Sequence, residues 1–302
     1  MLIFTKKAMK KYTYIVLIAS LFISCNQKQE QNPDSFTETP VQGTATVLVD
    51  ETIFPVVEDA QLVFESIYDR AKLTLVTKPQ NEVFNDLVKD QERIGIIARD
   101  LTETEIKYFE SVPVVPVRTH IATDAIAFVV NKSAKDSIID YNQIEKILKG
   151  ESSSVKLYFD NANSSTIQAL LSKFGLDNVS GANVLAATSN AEVIKNTANN
   201  IDAIGVIGVN WLTQPGDLKE YTDQLKVLGI NKDGVISKPN QTEIMDKTYP
   251  FTRSIYLINI QGKTGLGMGF ASYLAGQDGQ RIILKAGLLP SYPPTREIQI
   301  IK

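Results

Sequence analysis

The chain has 302 residues, 43% hydrophobic and 22% charged, with a formal net charge of −3. That apolar share supports a packed core and excludes wholesale disorder, and the absence of a basic excess argues against a nucleic-acid binder. One Cys and one His exclude intramolecular disulfides and Cys/His zinc or iron–sulfur sites, and a Ser-His-Asp triad would have to use His120. Composition therefore points to a binding protein without a cofactor rather than to an enzyme.

The N-terminus reads as an address. Lys6, Lys7, Lys10 and Lys11 precede an apolar run over 12–23, too short to span a bilayer but suited to a signal-peptide core. Met9 offers a second start. The run ends Leu21-Phe22-Ile23-Ser24-Cys25, which resembles a bacterial lipobox with Phe22 in place of the usual Leu. The alternative is a cleaved secretory signal with an incidental Cys. On the lipobox reading, 1–24 is a lipoprotein signal peptide, Cys25 carries the lipid, and loss of four Lys and no acid takes the charge from −3 to −7. Residues 25–43 are polar, contain Pro33 and Pro40, and read as a flexible tether.

Beyond the tether, β-rich runs alternate with helical patterns. Strands are expected over 44–50, 72–78, 93–100, 125–131, 155–161, 203–212, 224–230 and 254–260. Near-continuous apolar runs such as Ile94-Gly95-Ile96-Ile97-Ala98 suit strands covered on both faces. Thr102 with Glu105 forms a capping-box pattern. Asp140 opens a helix that Gly150 closes, and Ser164 to Thr166 precede a helical face of Ile167, Leu170, Leu171 and Phe174 that ends at Gly175. Ser189 with Glu192 repeats the capping box, and a late helix is expected over 269–286. This alternation predicts an α/β fold with mainly parallel sheets, and about 260 ordered residues favours two lobes.

Several ordered segments resemble the periplasmic substrate-binding proteins of bacterial ABC importers, phosphate type. They are Glu51-Thr52-Ile53-Phe54-Pro55 after the first strand, Ala98-Arg99-Asp100-Leu101 after the third, and Tyr158-Phe159-Asp160-Asn161 leading to Asn163-Ser164-Ser165-Thr166. Ala203-Ile204-Gly205-Val206-Ile207-Gly208 and Ala286-Gly287-Leu288-Leu289-Pro290 extend the likeness. The resemblance implies a type II clamshell with a mainly parallel sheet in each lobe. One lobe holds 44–118 plus 250–302, the other holds 119–249, and two crossing segments form the hinge. It also implies a periplasmic, lipid-anchored monomer that captures a small oxyanion, most often phosphate, and hands it to an ABC permease. The alternative is an envelope sensing or interaction subunit whose acidic cleft takes a non-phosphate ligand or a protein partner. A phosphate-ester hydrolase is disfavoured by the single His.

In open α/β sheets, ligands sit beyond the carboxyl ends of strands, where helices begin and their free N–H groups favour anions. Two such turns are candidates: Asp50-Glu51-Thr52 and Asp160-Asn161 followed by Ser164-Ser165-Thr166. Taken alone, each turn favours ordinary N-capping; paired in this fold, the two lean towards ligand binding. Arg99 and Asp100 complete the set, the family placing a proton-accepting acid at the position of Asp100; a helix-capping role for Asp100 competes. This chain departs from the family by having Asp160 where an Arg is usual, Ser165 in place of a Gly, and a charge at Glu51. Two like charges 4 Å apart repel by about 4 kcal/mol at an effective dielectric of 20. A pocket lined by Asp50, Glu51, Asp100 and Asp160 therefore needs compensation from Arg99, Arg118, Arg253 or His120 to hold a dianion. A protonated carboxyl, a neutral polyol or a cation stays open as ligand.

Overall fold

The computed structural model describes residues 38–89, 93–151 and 155–294. The predicted signal segment, Cys25 and the tether up to residue 37 lie outside the described residues. Within the stretch expected to be tether, Glu38 and Gly43 are tied to the fold. Glu38 accepts hydrogen bonds from the Leu266 amide and Gln261 Nε2, and it pairs with Lys263.

The apolar runs become strands, and the polar turns behind them become caps. β1 (Gly43–Asp50) buries its last four residues and enters a 3-10 turn, Glu51–Ile53, that leads to α1 (Phe54–Ile67) with Pro55 in its first turn. β2 (Ala71–Lys78), α2 (Gln80–Val88) and β3 (Ile94–Ile97) follow. All four residues of β3 are buried, and Gly95 lets α2 lie close, since a Cβ there would come within 2.8 Å of Leu87. The predicted strand over 93–100 stops at Ile97 because Gln80 Oε1 takes the Ala98 amide. α3 (Glu103–Ser111) carries both halves of the capping box between Thr102 and Glu105.

β4 (Val117–Asn131) is fifteen residues long and begins well before the expected 125. β5 (Ile138–Asp140) leads into α4 (Tyr141–Lys149), capped by Asp140 and ended by Gly150 at φ 78°. β6 (Lys156–Phe159) is followed by α5 (Ser165–Phe174), capped by Ser164 and ended by Gly175 at φ 64°. β7 (Val184–Ala186) and α6 (Asn190–Ala198) come next. Ser189 caps α6, whereas Glu192 turns to the Thr188 amide and hydroxyl. β8 (Ala203–Gly208) gives way to the short α7 (Asn210–Thr213) where the sequence suggested a longer strand.

α8 (Lys219–Thr222), β9 (Leu225–Val227), β10 (Gly229–Lys232), β11 (Val235–Ser237) and α9 (Gln241–Met245) lead to β12 (Thr252–Asn259). The single late helix expected over 269–286 is two, α10 (Leu266–Ala275) and α11 (Gln277–Lys285), parted at Gly276. α11 folds back so tightly that a Cβ on Gly279 would sit 2.4 Å from the Tyr273 carbonyl. β13 (Leu289–Pro290) closes the described chain.

The main sheet runs β2-β1-β3-β12-β4-β8-β6-β7, with β13 and β9 also on β4; β11-β10-β5 form a separate small sheet. β1 pairs parallel with β2 and β3, and β6 pairs parallel with β7 and β8. The antiparallel pairings of this sheet are those of β4 and β12, with each other and with β3, β8, β9 and β13. Residues 117–125 of β4 pair with β12, and residues 126–131 pair with β8 and β9, so one long strand joins both parallel blocks. The core divides at the same place. Val47, Val49, Phe64, Leu257 and Phe270 pack in one cluster; Ile126, Phe128, Phe159, Val206 and Phe251 pack in another.

Candidate functional site

The carboxyl ends of β1 and β6 meet over the crossing strands. Asp50 ends β1 and its Oδ1 accepts the Thr52 amide at 3.1 Å, which fixes the 3-10 turn. From the other block, Ser164 Oγ accepts the Ile167 amide and sets the first turn of α5. Thr52 Oγ1 and Ser165 Oγ then lie 2.8 Å apart, a direct contact between the two turns. Asn210 Nδ2 and Trp211 Nε1, both from α7, donate to the Thr52 carbonyl at 3.0 and 2.9 Å. The Asn190 amide, at the start of α6, donates to Glu51 Oε1 at 3.1 Å, and Asn190 Nδ2 donates to Asp160 Oδ2 at 3.3 Å.

Arg253 lies beneath this seam with 6% of its surface exposed. It stands opposite Asp124 in the β12–β4 ladder, and its Nε and Nη2 donate to Asp124 Oδ2 at 3.0 and 2.8 Å. Its third edge points the other way: Nη1 donates to Ser165 Oγ at 2.7 Å and to Thr166 Oγ1 at 3.2 Å. One buried cation thus holds a buried acid and two hydroxyls at a helix N-terminus, where the dipole favours an anion. A cleft of about 640 Å³ opens beside Ser165 and Arg253, lined also by Gln80, Arg99, Asp100 and Tyr256.

The acids outnumber this cation. Burial pushes the carboxyls of Asp50 and Asp124 up, against the pull of Arg253. Glu51 is raised by burial against hydrogen bonds from Asn190. Asp160 is pushed up to about 7, chiefly by burial; a Ser164 hydrogen bond opposes the rise, while the charges of Asp50 and Glu51 add to it. Among the described residues, no three His, Cys, Asp or Glu side chains converge as metal ligands would.

A family model for the PBP superfamily domain matches residues 34–278. The chain belongs to the PBP superfamily. Within that superfamily it is 23% identical, over 93% of its own length and 99% of the relative's, to the phosphate-binding protein PstS of Borreliella burgdorferi. Its fold matches a putative phosphate ABC transporter substrate-binding protein with bound phosphate from Clostridium perfringens. There the TM-score is 0.70 at 17% identity, over 83% of this chain and 100% of that one. An ABC-type phosphate transport receptor from Vibrio cholerae matches with a TM-score of 0.63 at 16% identity, over 81% of this chain and 99% of that one.

In this PBP-superfamily chain, the structure brings Asp50, Glu51, Thr52, Asp160, Ser164, Ser165 and Thr166 together. Asn161 stands at the edge: its Nδ2 donates to Asp160 Oδ2 at 3.3 Å, while its Oδ1 accepts the Asn163 amide. Arg99 and Asp100 stay apart from the cluster. Arg99 grips Glu105 through both guanidinium nitrogens at 2.7 Å, and Asp100 is held by Arg118 at 2.9 and 3.0 Å and by the Leu101 amide. They line the cleft without reaching the seam. Asp124, Asn190 and Asn210 escaped the sequence reading. Asp124 had a signal, a lone acid inside the apolar run Ala122–Val130; Asn190 was masked by the cap at Ser189, and Asn210 by an expected strand.

Proposed function

We propose that this chain is the substrate-binding protein of an ABC importer and that it captures inorganic phosphate at the seam between Thr52 and Ser165. The observation that carries this reading is the buried Arg253, whose Nη1 reaches the Ser165 and Thr166 hydroxyls opposite Thr52. These groups form a cationic, hydroxyl-rich seat at the start of α5, and the sequence kinship to a phosphate-binding protein supports phosphate as its guest. Arg253 supplies the positive charge that the chain lacks at Asp160.

On this reading, 44–118 with 250–302 and 119–249 are two lobes, and β4 and β12 are the hinge. Parting Thr52 from Ser165 admits the anion, and closure over it is a hinge motion that a permease recognises. The protein works in the periplasm as a monomer, held to the membrane by lipid on Cys25, and it catalyses no reaction. Calorimetric titration of the full chain with phosphate, sulfate and molybdate tests it. Phosphate is expected to bind one to one and to stabilise the fold by RT ln(1 + [L]/Kd), about 2.7 kcal/mol at a hundredfold excess over Kd. Absence of both heat and stabilisation with phosphate overturns the reading.

A further inference from the structure

The cleft beside the seam is larger than a bare tetrahedral anion needs. It measures about 640 Å³ and is lined by Ser165 and Arg253, so it opens directly onto the seat proposed for phosphate. That volume falls within the range of about 300–1,000 Å³ typical of clefts that hold organic molecules. It persists although the two blocks already touch twice. Thr52 Oγ1 meets Ser165 Oγ at 2.8 Å, and Gln80 Nε2 donates to Gln168 Oε1 at 3.3 Å. An anion seated between Thr52 and Ser165 parts the first contact, so its arrival widens the cleft instead of filling it.

The cleft runs along one face of α5 and one face of β12. Ser165, Gln168, Ala169 and Ser172 follow the spacing of a helix face, while Thr252, Ser254 and Tyr256 alternate along the strand. At about 1.5 Å per residue, Ser172 lies about 10 Å along the helix from Ser165, which sets the length of groove beyond the seat. The hydroxyls of Ser172, Thr252, Ser254 and Tyr256 make no hydrogen bond among the described residues. Apart from the Tyr256 ring, the apolar residues of the lining are Ala98 and Ala169, so an acyl chain or a bare aromatic body gains little here. The charges of Arg99 and Asp100 are met by Glu105 and Arg118.

We propose that the preferred ligand of this site is a phosphate monoester of a small polyol, with its phosphoryl group at Ser165, Thr166 and Arg253 and its hydroxylated body in the cleft between α5 and β12. This rests on the phosphate reading above and extends it: the same seat takes the phosphoryl group whether or not that group carries a substituent. A polyol hydroxyl both donates and accepts a hydrogen bond, as the four lining hydroxyls do, so each can exchange water for the other. Inorganic phosphate fills the seat, leaves the cleft to water and is the weaker ligand. Binding is reversible, and no bond to phosphorus forms or breaks.

The test is calorimetric titration of the full chain with inorganic phosphate, glycerol 3-phosphate, glucose 6-phosphate and phenyl phosphate. At least one polyol ester is expected to bind about tenfold tighter than phosphate, the gain from one or two hydrogen bonds, and to compete with it one to one. Phenyl phosphate, whose body offers no hydroxyl, is expected to show no such gain. Ser172→Trp, at an exposed position of α5, places a ring in the groove and is expected to remove the ester's advantage over phosphate. Should that variant fail to fold, the ranking of the ligands on the unaltered protein decides alone. Polyol esters that bind no tighter than phosphate, or phenyl phosphate that binds as tightly as they do, overturn the proposal and leave the phosphate reading standing. Ester binding without phosphate binding upholds the proposal and overturns capture of inorganic phosphate. No binding by any of the four overturns both.

Discussion

Arg253 and Arg118 stand on the neighbouring strands β12 and β4, and each holds one aspartate at hydrogen-bond distance. The Arg253–Asp124 side chains are 3% and 0% exposed, and those of Arg118–Asp100 are 37% and 39% exposed. Water screens the second pair, so its contribution is that of a surface ion pair, up to about 1 kcal/mol. The first is sealed between two hydrophobic clusters and next to further acids, so each charge depends on the other. The lesson is that sequence resemblance drew attention to the exposed aspartate, while the organising charge of the site lies on the strand opposite a buried one.

The largest effect expected is from Arg253→Ala. It leaves Asp124 buried and unpaired beside Asp50 and Asp160, and should cost about 3–5 kcal/mol in denaturant unfolding and abolish phosphate heat. Next comes pH. Asp160, pushed up to about 7 in the fold against an ordinary carboxyl value of 3.8, binds more protons folded than unfolded between these values. Stability of the ligand-free protein should therefore fall as pH rises through that window, by up to about 4 kcal/mol, and Asp160→Asn should flatten the fall in thermal melts. The raised carboxyls of Asp50, Asp124 and Glu51 act in the same direction.

Thr52→Val removes one hydroxyl from the seam. It should weaken phosphate binding by about tenfold, the size of one hydrogen bond, with little change in melting. Ser164→Ala removes the cap of α5 and should cost about 1 kcal/mol. Arg118→Ala should change stability by less than about 1 kcal/mol, and phosphate affinity should stay within about twofold on the same grounds. An Arg118→Ala effect as large as that of Arg253→Ala would erase the distinction between the two pairs.

The fold was legible because its signals are local and repeated. Ile94-Gly95-Ile96-Ile97 reads as a doubly covered strand, and Thr102, Asp140, Ser164 and Ser189 each sit at a helix start they do cap. The misses have tertiary causes. Gly276 divides the last helix pair because α11 turns back onto α10, and β8 ends at Gly208 because the next residues turn to hold Thr52. The two turns of the site could be read as helix starts, but which of the four candidate cations serves them could not. Arg253 is 88 residues from Ser165 and 129 from Asp124, so only the pairing of β12 with β4 brings the three together. Arg99, next in sequence to a promising acid, turned out to serve Glu105.

A crystal structure of the full chain grown with phosphate tests the central claim most directly. The account predicts the anion between Thr52 and the Ser165–Thr166 turn, with Arg253 Nη1 on one of its oxygens and the Thr52–Ser165 contact parted. Phosphate held instead by Arg99 or Arg118, above an unbroken Thr52–Ser165 contact, would contradict it.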